Sequence, residues 1–161
     1  MNKGTLALLI SGLITIPTAA MAMTPNTDLN LMPYPQNVEL GQGKVTLDKS
    51  FSIYIKGYDS PRVQFNAKRT MDRLYRQTGL PMLNWHAESE KDATLVIDIR
   101  NAPKSEVQDI NSDESYQLES RNGQIIIRSE RPYGAFHGLE TFLQLVTTDE
   151  TGYFVPAVSV S

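Results

Sequence analysis

The chain of 161 residues contains no cysteine, only two histidines and a single tryptophan. The lack of cysteine excludes disulfide bonds and thiolate ligands, and two histidines alone make no convincing zinc-type cluster. Basic residues are not in excess, because 15 lysines and arginines stand against 18 aspartates and glutamates, for a formal net charge of −3. A nucleic-acid partner would call for a basic face. We therefore expect no metal ion, no cofactor and no nucleic-acid partner.

Motifs of known catalytic sites are also missing. The chain has no Gly-x-Ser-x-Gly nucleophile elbow and no Gly-rich phosphate loop followed by Lys-Ser or Lys-Thr. Asp98 and Glu119 are a conceivable pair of glycosidase carboxylates, but both fall in predicted strands with no sign of a cleft. Asp109, Asp113 and Glu114 share one polar loop that lacks the glycine and terminal glutamate of a calcium loop. We therefore assign no catalytic residue and no metal ligand, and expect a solvated acidic loop.

Few side chains remain as candidates for binding. Trp85, next to His86, is the candidate for stacking on a sugar ring; the alternative, which we favour, is that it covers the edge of the core. His137 falls inside a predicted helix, where packing or surface exposure is expected rather than catalysis. The basic residues of another predicted helix indicate either a phosphate site or, as we favour, a solvated face: Lys68, Arg69, Arg73 and Arg76.

The only long apolar run lies at the N-terminus. Lys3 precedes apolar residues 6–16, and small residues then lead to Ala22, in the order typical of an export signal. The run is too short to span a bilayer, which needs about 20 residues; the alternative is a buried N-terminal helix. We predict a signal peptide at 1–22, cleavage that leaves Met23 first, and a periplasmic or secreted protein without a membrane anchor.

Periodicity predicts a small layered domain after a flexible lead at 23–32. Short strands are expected at 38–40, 44–47, 51–55, 93–99, 116–120 and 124–128. A helix is expected from Ser60-Pro61 to Gly79, with one apolar stripe: Val63, Ala67, Met71, Leu74, Tyr75 and Thr78. A second helix is expected at 132–146. This order predicts an α+β layer fold, with a mostly antiparallel sheet and two helices on one face.

The second helix carries the most specific motif. Residues 131–146, RPYGAFHGLETFLQLV, resemble the Gly-x-x-x-Gly-Leu-Glu-Thr-x-x-Gln-Leu helix that closes the N-terminal domain of family 20 glycoside hydrolases, the β-N-acetylhexosaminidases. Residues 31–35 (LMPYP), 113–118 (DESYQL) and 155–160 (VPAVSV) resemble three shorter segments of the same domain. The resemblance covers nearly all of the chain after residue 22.

The resemblance implies a supporting role for this domain. In that family a (β/α)8 barrel removes terminal N-acetylhexosamine, with the acetamido group of the substrate as nucleophile. No motif here matches the residues of that barrel, so the resemblance implies a domain at 33–152, the start of a linker or strand at 153–161 leading toward an absent barrel, and no activity alone. The residues given a structural or interface role lie in one helix: Pro132, Gly134, Gly138, Leu139, Glu140 and Gln144.

Two hypotheses follow for the function. The first is the non-catalytic N-terminal domain of an exported β-N-acetylhexosaminidase, whose partner is the barrel and which meets glycan only through it. The alternative is a free-standing secreted module that binds carbohydrate or protein, supported by Trp85 and the tyrosines. For the helix, Gly134 and Gly138 are expected to allow close approach to the sheet. Glu140 and Gln144 are expected to face the barrel or to bind loop backbone.

Overall fold

The computed structural model describes residues 29–103 and 110–161. The predicted signal peptide, the cleavage site between Ala22 and Met23, and Asp109 lie outside these described residues. The strands are β1 (Val38–Leu47), β2 (Ile53–Gly57), β3 (Leu95–Ile99), β4 (Tyr116–Arg121), β5 (Gln124–Ser129), β6 (Thr147–Asp149) and β7 (Gly152–Val160). The helices are α1 (Pro61–Thr78) and α2 (Pro132–Leu145), with a 3-10 turn at Glu90–Asp92. No helix in the described ranges is long and apolar enough to cross a membrane.

The strands form one sheet in the order β1-β7-β4-β5-β3-β2, with β6 paired to β7. The pairs β2–β3 and β3–β5 are parallel, and the other four pairs are antiparallel. The parallel pair β2–β3 follows from the connection through α1, because parallel neighbours need a crossover and cannot be joined by a tight turn. The described sheet is mostly antiparallel, so the predicted α+β fold is confirmed.

Both helices pack on the same face of this sheet. The strand register aligns Ile97 of β3 with Ile127 of β5, and Ile127 with Leu118 of β4, so three fully buried side chains form a row under the helices. Residues of α1 and α2 belong to the same core cluster as this row. The opposite face carries the charged neighbours Lys56, Asp98 and Arg128 on β2, β3 and β5. Most apolar burial is therefore on the helix side of the sheet, although Val96 is buried on the other side.

The predicted ends of α1 are confirmed in detail. The Ser60 hydroxyl accepts a hydrogen bond from the Val63 backbone N–H at 3.3 Å, and Pro61 occupies the first turn. At the other end Gly79 adopts a left-handed conformation with φ of 71° and donates its N–H to the Tyr75 carbonyl at 2.7 Å. A hydroxyl cap, an N-terminal proline and a glycine after the last turn satisfy the free backbone groups of a helix locally. Their position is therefore readable from the sequence.

Two expectations about the strands differ from the structure. The segments 38–40 and 44–47 are one strand with an irregularity between Leu40 and Lys44, because both halves pair with β7. Residues 147–149, where no strand was expected, form strand β6 against the start of β7. Both differences arise from pairing with a distant strand, to which local periodicity is blind.

The domain extends further along the chain than its expected limits. Residues 153–160, expected as the start of a linker or strand leading out of the domain, are extended and form most of β7, which lies between β1 and β4 inside the sheet. At the other end Leu31, from the expected flexible lead, is only 7% exposed and belongs to the core. Asn37 and Ser161 exchange backbone hydrogen bonds at 2.9 and 3.0 Å, so the start of β1 and the end of β7 lie side by side.

One member of the predicted apolar stripe of α1 lies outside the core. Val63, Ala67, Met71 and Leu74 are buried, whereas 55% of Tyr75 is exposed. At 100° per residue, position 75 is a full step from position 74 and falls on the flank of the helix. Tyr75 is therefore a surface aromatic residue that the core does not account for.

Candidate functional site

The two histidines take part in separate surface contacts. The His137 ring, on α2, lies 2.8 Å from a carboxylate oxygen of Glu114, and its side chain is 52% exposed. The His86 ring lies against the Trp85 ring, with ring centroids 3.6 Å apart and planes tilted by 31°. The two rings thus have different partners, and the surface role expected for His137 is what its exposure shows.

The two strand carboxylates lie on the open face of the sheet. Asp98 on β3 is the register neighbour of Arg128 on β5, and Arg128 contacts a Glu119 oxygen on β4 at 3.4 Å. Arg121 also contacts Glu119, at 2.9 Å. The carboxylates therefore belong to a cross-strand charge network on the face without helices. A glycosidase pair would instead flank a bound sugar.

The acidic loop is organised by local hydrogen bonds. The Asp113 carboxylate accepts hydrogen bonds from the Ser115 backbone N–H at 3.0 Å and from its hydroxyl at 2.6 Å, which is an Asx turn. Within residues 29–103 and 110–161, no group of three or more His, Cys, Asp or Glu side chains is arranged to hold a metal ion.

Helix α2 approaches the sheet most closely at its first turn. Pro132 occupies the first turn after Arg131, so its missing N–H leaves no hydrogen bond unmade. A Cβ placed on Gly134 would lie 2.1 Å from the Ser115 carbonyl oxygen and 3.0 Å from the Ser129 Cβ. Since the nearer neighbour is backbone, no side-chain rotation relieves this overlap.

The second glycine lies one turn further along α2. A Cβ on Gly138 would lie 2.5 Å from the Ile127 Cγ2 and 3.2 Å from the Tyr116 ring. The following residue, Leu139, is 3% exposed and joins the core. The glycines therefore stand where α2 contacts β4, β5 and the segment before β4. A Cβ would have to displace these elements.

The outward side of α2 contacts α1 through charge and aromatic stacking. The Arg73 guanidinium on α1 donates two hydrogen bonds to the Glu140 carboxylate. Near the helix N-termini, the Arg62 guanidinium lies 4.8 Å from the Tyr133 ring centroid and donates a hydrogen bond to the Tyr133 hydroxyl at 2.8 Å. Neither pairing was predicted from the sequence, because the partners lie 67 and 71 positions apart.

Two of the four basic residues considered for a phosphate site form ion pairs within the domain. Arg73 pairs with Glu140, and the Lys68 ammonium lies 2.9 Å from the Asp72 carboxylate.

Gln144 fixes the segment that precedes β1. Its side-chain oxygen accepts a hydrogen bond from the Met32 backbone N–H at 2.7 Å, and its side-chain nitrogen donates to the Met32 carbonyl at 3.1 Å. The amide thus holds both backbone groups of one residue, as a neighbouring strand would. This is the loop-backbone contact that was one of the two expectations for Gln144.

We expect Gln144→Ala to release this segment while the fold remains intact. Two exposed hydrogen bonds are lost, and their net contribution is about 1 kcal/mol, which lowers Tm by roughly 3 °C. Hydrogen exchange at the Met32 amide should accelerate at the same time. Gln64→Ala is the matched control, because the Gln64 side chain bonds Asp59 instead. Unchanged exchange at Met32 in Gln144→Ala would contradict the assignment.

The clearest electrostatic perturbation stabilises a hairpin. The Lys44 ammonium donates a hydrogen bond to Asp149 at 2.6 Å and, together with Thr151, lowers the pKa of Asp149 to about 2. The same ammonium lies 4.6 Å from the Phe154 ring centroid. These contacts link β1 to the β6–β7 turn. They serve the fold, since Asp149 is held as the charged acceptor of fixed partners.

Trp85 is fixed beside the edge of the sheet. Its carbonyl accepts a hydrogen bond from the Ile53 N–H at 2.6 Å, and the Ala87 N–H donates to the Ile53 carbonyl at 2.9 Å. The ring is partly buried against the core, as the favoured alternative predicted, and it also lines a surface cleft beside α1.

Comparison with known proteins agrees with this arrangement. Residues 28–161 match the family described as glycosyl hydrolase family 20, domain 2. The chain is 28% identical over 135 residues to β-hexosaminidase subunit A1 of Dictyostelium discoideum, covering 83% of this chain and 24% of that protein. It is 30% identical over 145 residues to the human β-hexosaminidase subunit beta, covering 82% of this chain and 22% of that protein.

Solved structures give the same result. The chitobiase of Flavobacterium johnsoniae superposes with a TM-score of 0.73 at 33% identity, over 82% of this chain and 20% of that one. A β-N-acetylhexosaminidase from Bacteroides fragilis superposes with a TM-score of 0.57 at 18% identity, which supports the fold alone. The chain therefore spans about a quarter or less of the length of these relatives.

Proposed function

Since the chain belongs to glycosyl hydrolase family 20, domain 2, we propose that it is the non-catalytic supporting domain of an exported β-N-acetylhexosaminidase. The proposal rests on how the signature helix uses its polar groups. Glu140 binds Arg73, Gln144 binds the Met32 backbone and His137 contacts Glu114. Each of these groups is engaged in holding the domain together. We therefore assign them structural roles and assign no catalytic residue to this chain.

Catalysis is assigned to a separate barrel domain of the same protein. The full-length relatives are four to five times longer than the region they share with this chain. In family 20 the acetamido group of the substrate acts as nucleophile, so the catalytic domain must bind and orient that group. The reaction proposed for the whole protein is removal of terminal N-acetylhexosamine from glycans or chitooligosaccharides.

The surface proposed to meet the barrel is the outer side of the helix pair. A cleft of about 270 Å³ runs between α1 and α2, lined by Asn66, Arg69, Phe136 and Glu140 among others. Nearby on α1, the Phe65 side chain is 66% exposed. A charged cleft beside an exposed aromatic side chain resembles an interface between domains, which is more polar than a core.

Activity and export test this proposal together. The 161-residue chain is expected to show no turnover of a chromogenic N-acetylglucosaminide, whereas a longer product of the same gene that continues past Ser161 is expected to hydrolyse it. In a bacterial host that longer product should be recovered from the periplasm with Met23 as its first residue. Turnover by the pure 161-residue chain would overturn the supporting role. Cytoplasmic recovery with residues 1–22 intact would overturn the export.

A further inference from the structure

The flank of α1 that faces away from α2 borders a cleft that no structural role explains. The cleft has a volume of about 390 Å³, within the range of roughly 300–1,000 Å³ typical of small-ligand sites. Its walls are α1 and the segment after Gly79, and we call it the Trp85 groove after its most buried aromatic side chain. The residues that matter are Lys68, Asp72, Tyr75, Met82, Leu83 and Trp85.

We propose that the Trp85 groove binds one sugar ring of an oligosaccharide that contains N-acetylhexosamine, as an auxiliary subsite outside the catalytic domain. The general chemistry comes from the lining of the groove. The choice of N-acetylhexosamine rests on the proposed function, because an oligosaccharide substrate of the catalytic domain would present this sugar both to the active site and to the groove.

Aromatic and aliphatic side chains supply the apolar wall. Tyr75 is 55% exposed and Leu83 is 86% exposed, and both lie beside Trp85. A pyranose ring has a face of C–H groups and an edge of hydroxyl groups. An aromatic side chain in a cleft covers the first while nearby polar groups bind the second. The groove offers this combination at the surface, where two large apolar side chains have no core to join.

An ion pair supplies the polar rim. The Lys68 ammonium lies 2.9 Å from the Asp72 carboxylate, one turn apart on the same side of α1 as Tyr75. The side chains are 64% and 53% exposed, so their mutual attraction contributes little to stability. A ligand can therefore replace the contact between Lys68 and Asp72 with its own hydrogen bonds at little cost in stability. The ammonium donates to a hydroxyl or to an acetamido carbonyl, and the carboxylate accepts from a hydroxyl or from an acetamido N–H.

Hydrogen bonds hold both ends of the segment that forms one wall of the groove. Backbone hydrogen bonds of Trp85 and Ala87 hold the segment on both sides of His86 against Ile53. At the helix end the Thr78 hydroxyl accepts a hydrogen bond from the Leu80 N–H at 3.2 Å, which fixes how the chain leaves α1. Because α1 and both ends of this segment are held by hydrogen bonds, binding has less backbone freedom to remove there.

The groove and the cleft between α1 and α2 lie on different sides of α1. Lys68, Asp72 and Tyr75 occupy one flank, and Asn66 and Arg69 line the cleft toward α2. Positions 68 and 72 project roughly 120–160° around the helix from position 66. A sugar in the groove therefore leaves the cleft between α1 and α2 free.

Trp85 is the only tryptophan, so its fluorescence reports on the groove alone. In titrations of the 161-residue chain with the N-acetylglucosamine trimer we expect a saturable change in emission, with a Kd of about 1 mM or tighter. Tyr75→Ala should weaken binding at least about tenfold, as loss of a stacking partner worth ~1.4 kcal/mol implies. Asp72→Ala should weaken it as well. Tyr34→Ala, which removes a tyrosine that is 69% exposed and does not line the groove, should bind like the unchanged chain.

The outcomes separate this site from the proposed function. No saturable change up to about 10 mM trimer, or equal binding by Tyr75→Ala, would overturn the groove. The glucose trimer, which lacks acetamido groups, should bind at least about threefold more weakly, and equal binding would overturn the preference for N-acetylhexosamine. Turnover by the longer gene product, with no fluorescence response of the 161-residue chain, would overturn the sugar site and leave the supporting role intact. Saturable binding by the 161-residue chain, with no turnover by the longer product, would overturn the supporting role and leave the sugar site intact.

Discussion

A Gly138→Leu variant is expected to lose about 3 kcal/mol or more of its free energy of unfolding. The first added carbon would lie 2.5 Å from Ile127 Cγ2, and Ile127 is fully buried and cannot move aside. Overpacking of a core costs typically 1–3 kcal/mol, and occasionally more, whereas relief of the glycine penalty in a helix returns at most about 1 kcal/mol. Four added carbons place Leu at or above the upper end of that range. We expect a loss of about 3 kcal/mol or more and a fall in Tm of roughly 10 °C by calorimetry.

Graded substitutions show whether the close approach of α2 is the cause. Gly138→Ala adds only the first carbon, so it should be destabilised less than Gly138→Leu. Gly41→Ala is the matched control outside the helix. Its Cβ would meet one residue, Ala157, at 3.3 Å from the Cβ and 3.5 Å from the carbonyl oxygen, so Tm should change little. A Gly138→Leu protein that folds with the Tm of the unchanged chain would refute the packing role of this glycine.

Local signals explain which elements were predictable from the sequence. The turn between β4 and β5 contains Asn122 and Gly123, with φ values of 53° and 80°, the pair of left-handed conformations that Asn-Gly adopts easily. The cap at Ser60 and the glycine after α1 are similar, since their hydrogen bonds span three or four residues. The hydrogen bonds and backbone conformations that define these features involve residues only a few positions apart in the sequence.

Features that depend on distant pairing were not predictable in the same way. Strand β1 continues across its glycines because β7, more than 100 positions later, supplies its hydrogen-bond partners. The Gln144 side chain bonds Met32 across 112 positions, and Glu140 bonds Arg73 across 67. Periodicity contains no information about such partners. The resemblance to a known helix marked Glu140 and Gln144 as important, and the structure shows what each of them contacts.

The contacts of α2 explain why so many of its positions are constrained. Its glycines set the distance to the sheet, Glu140 joins it to α1, and Gln144 joins it to the segment before β1. Helix α2 thus contacts the sheet, α1 and the segment before β1, and fixes their positions relative to one another. Any surface that α1 and α2 present together therefore depends on these contacts for its shape.

The same central position makes Phe142→Ala the second substitution with a large expected effect. Phe142 is fully buried on α2, and its ring stacks on Phe51, with ring centroids 5.7 Å apart and planes 13° apart. Truncating a buried phenylalanine to alanine costs about 3–5 kcal/mol, because apolar burial is lost and a cavity remains. The stacked pair contributes roughly 0.5–1.5 kcal/mol beyond buried area. We expect the free energy of unfolding to fall by a large fraction of its total, which is about 5–15 kcal/mol for a typical domain. The fall is measured as a lower denaturation midpoint.

Phe65→Ala on α1 is the matched control, because the same side chain is removed from a position that is 66% exposed. Its stability should change by no more than about 0.5 kcal/mol in urea denaturation. A Phe142→Leu variant should fall between Phe142→Ala and the unchanged chain, because leucine fills part of the cavity. Equal losses for Phe142→Ala and Phe65→Ala would mean that α2 is not anchored through the Phe51 stack. Rigid presentation of the helix-pair surface would then require another explanation.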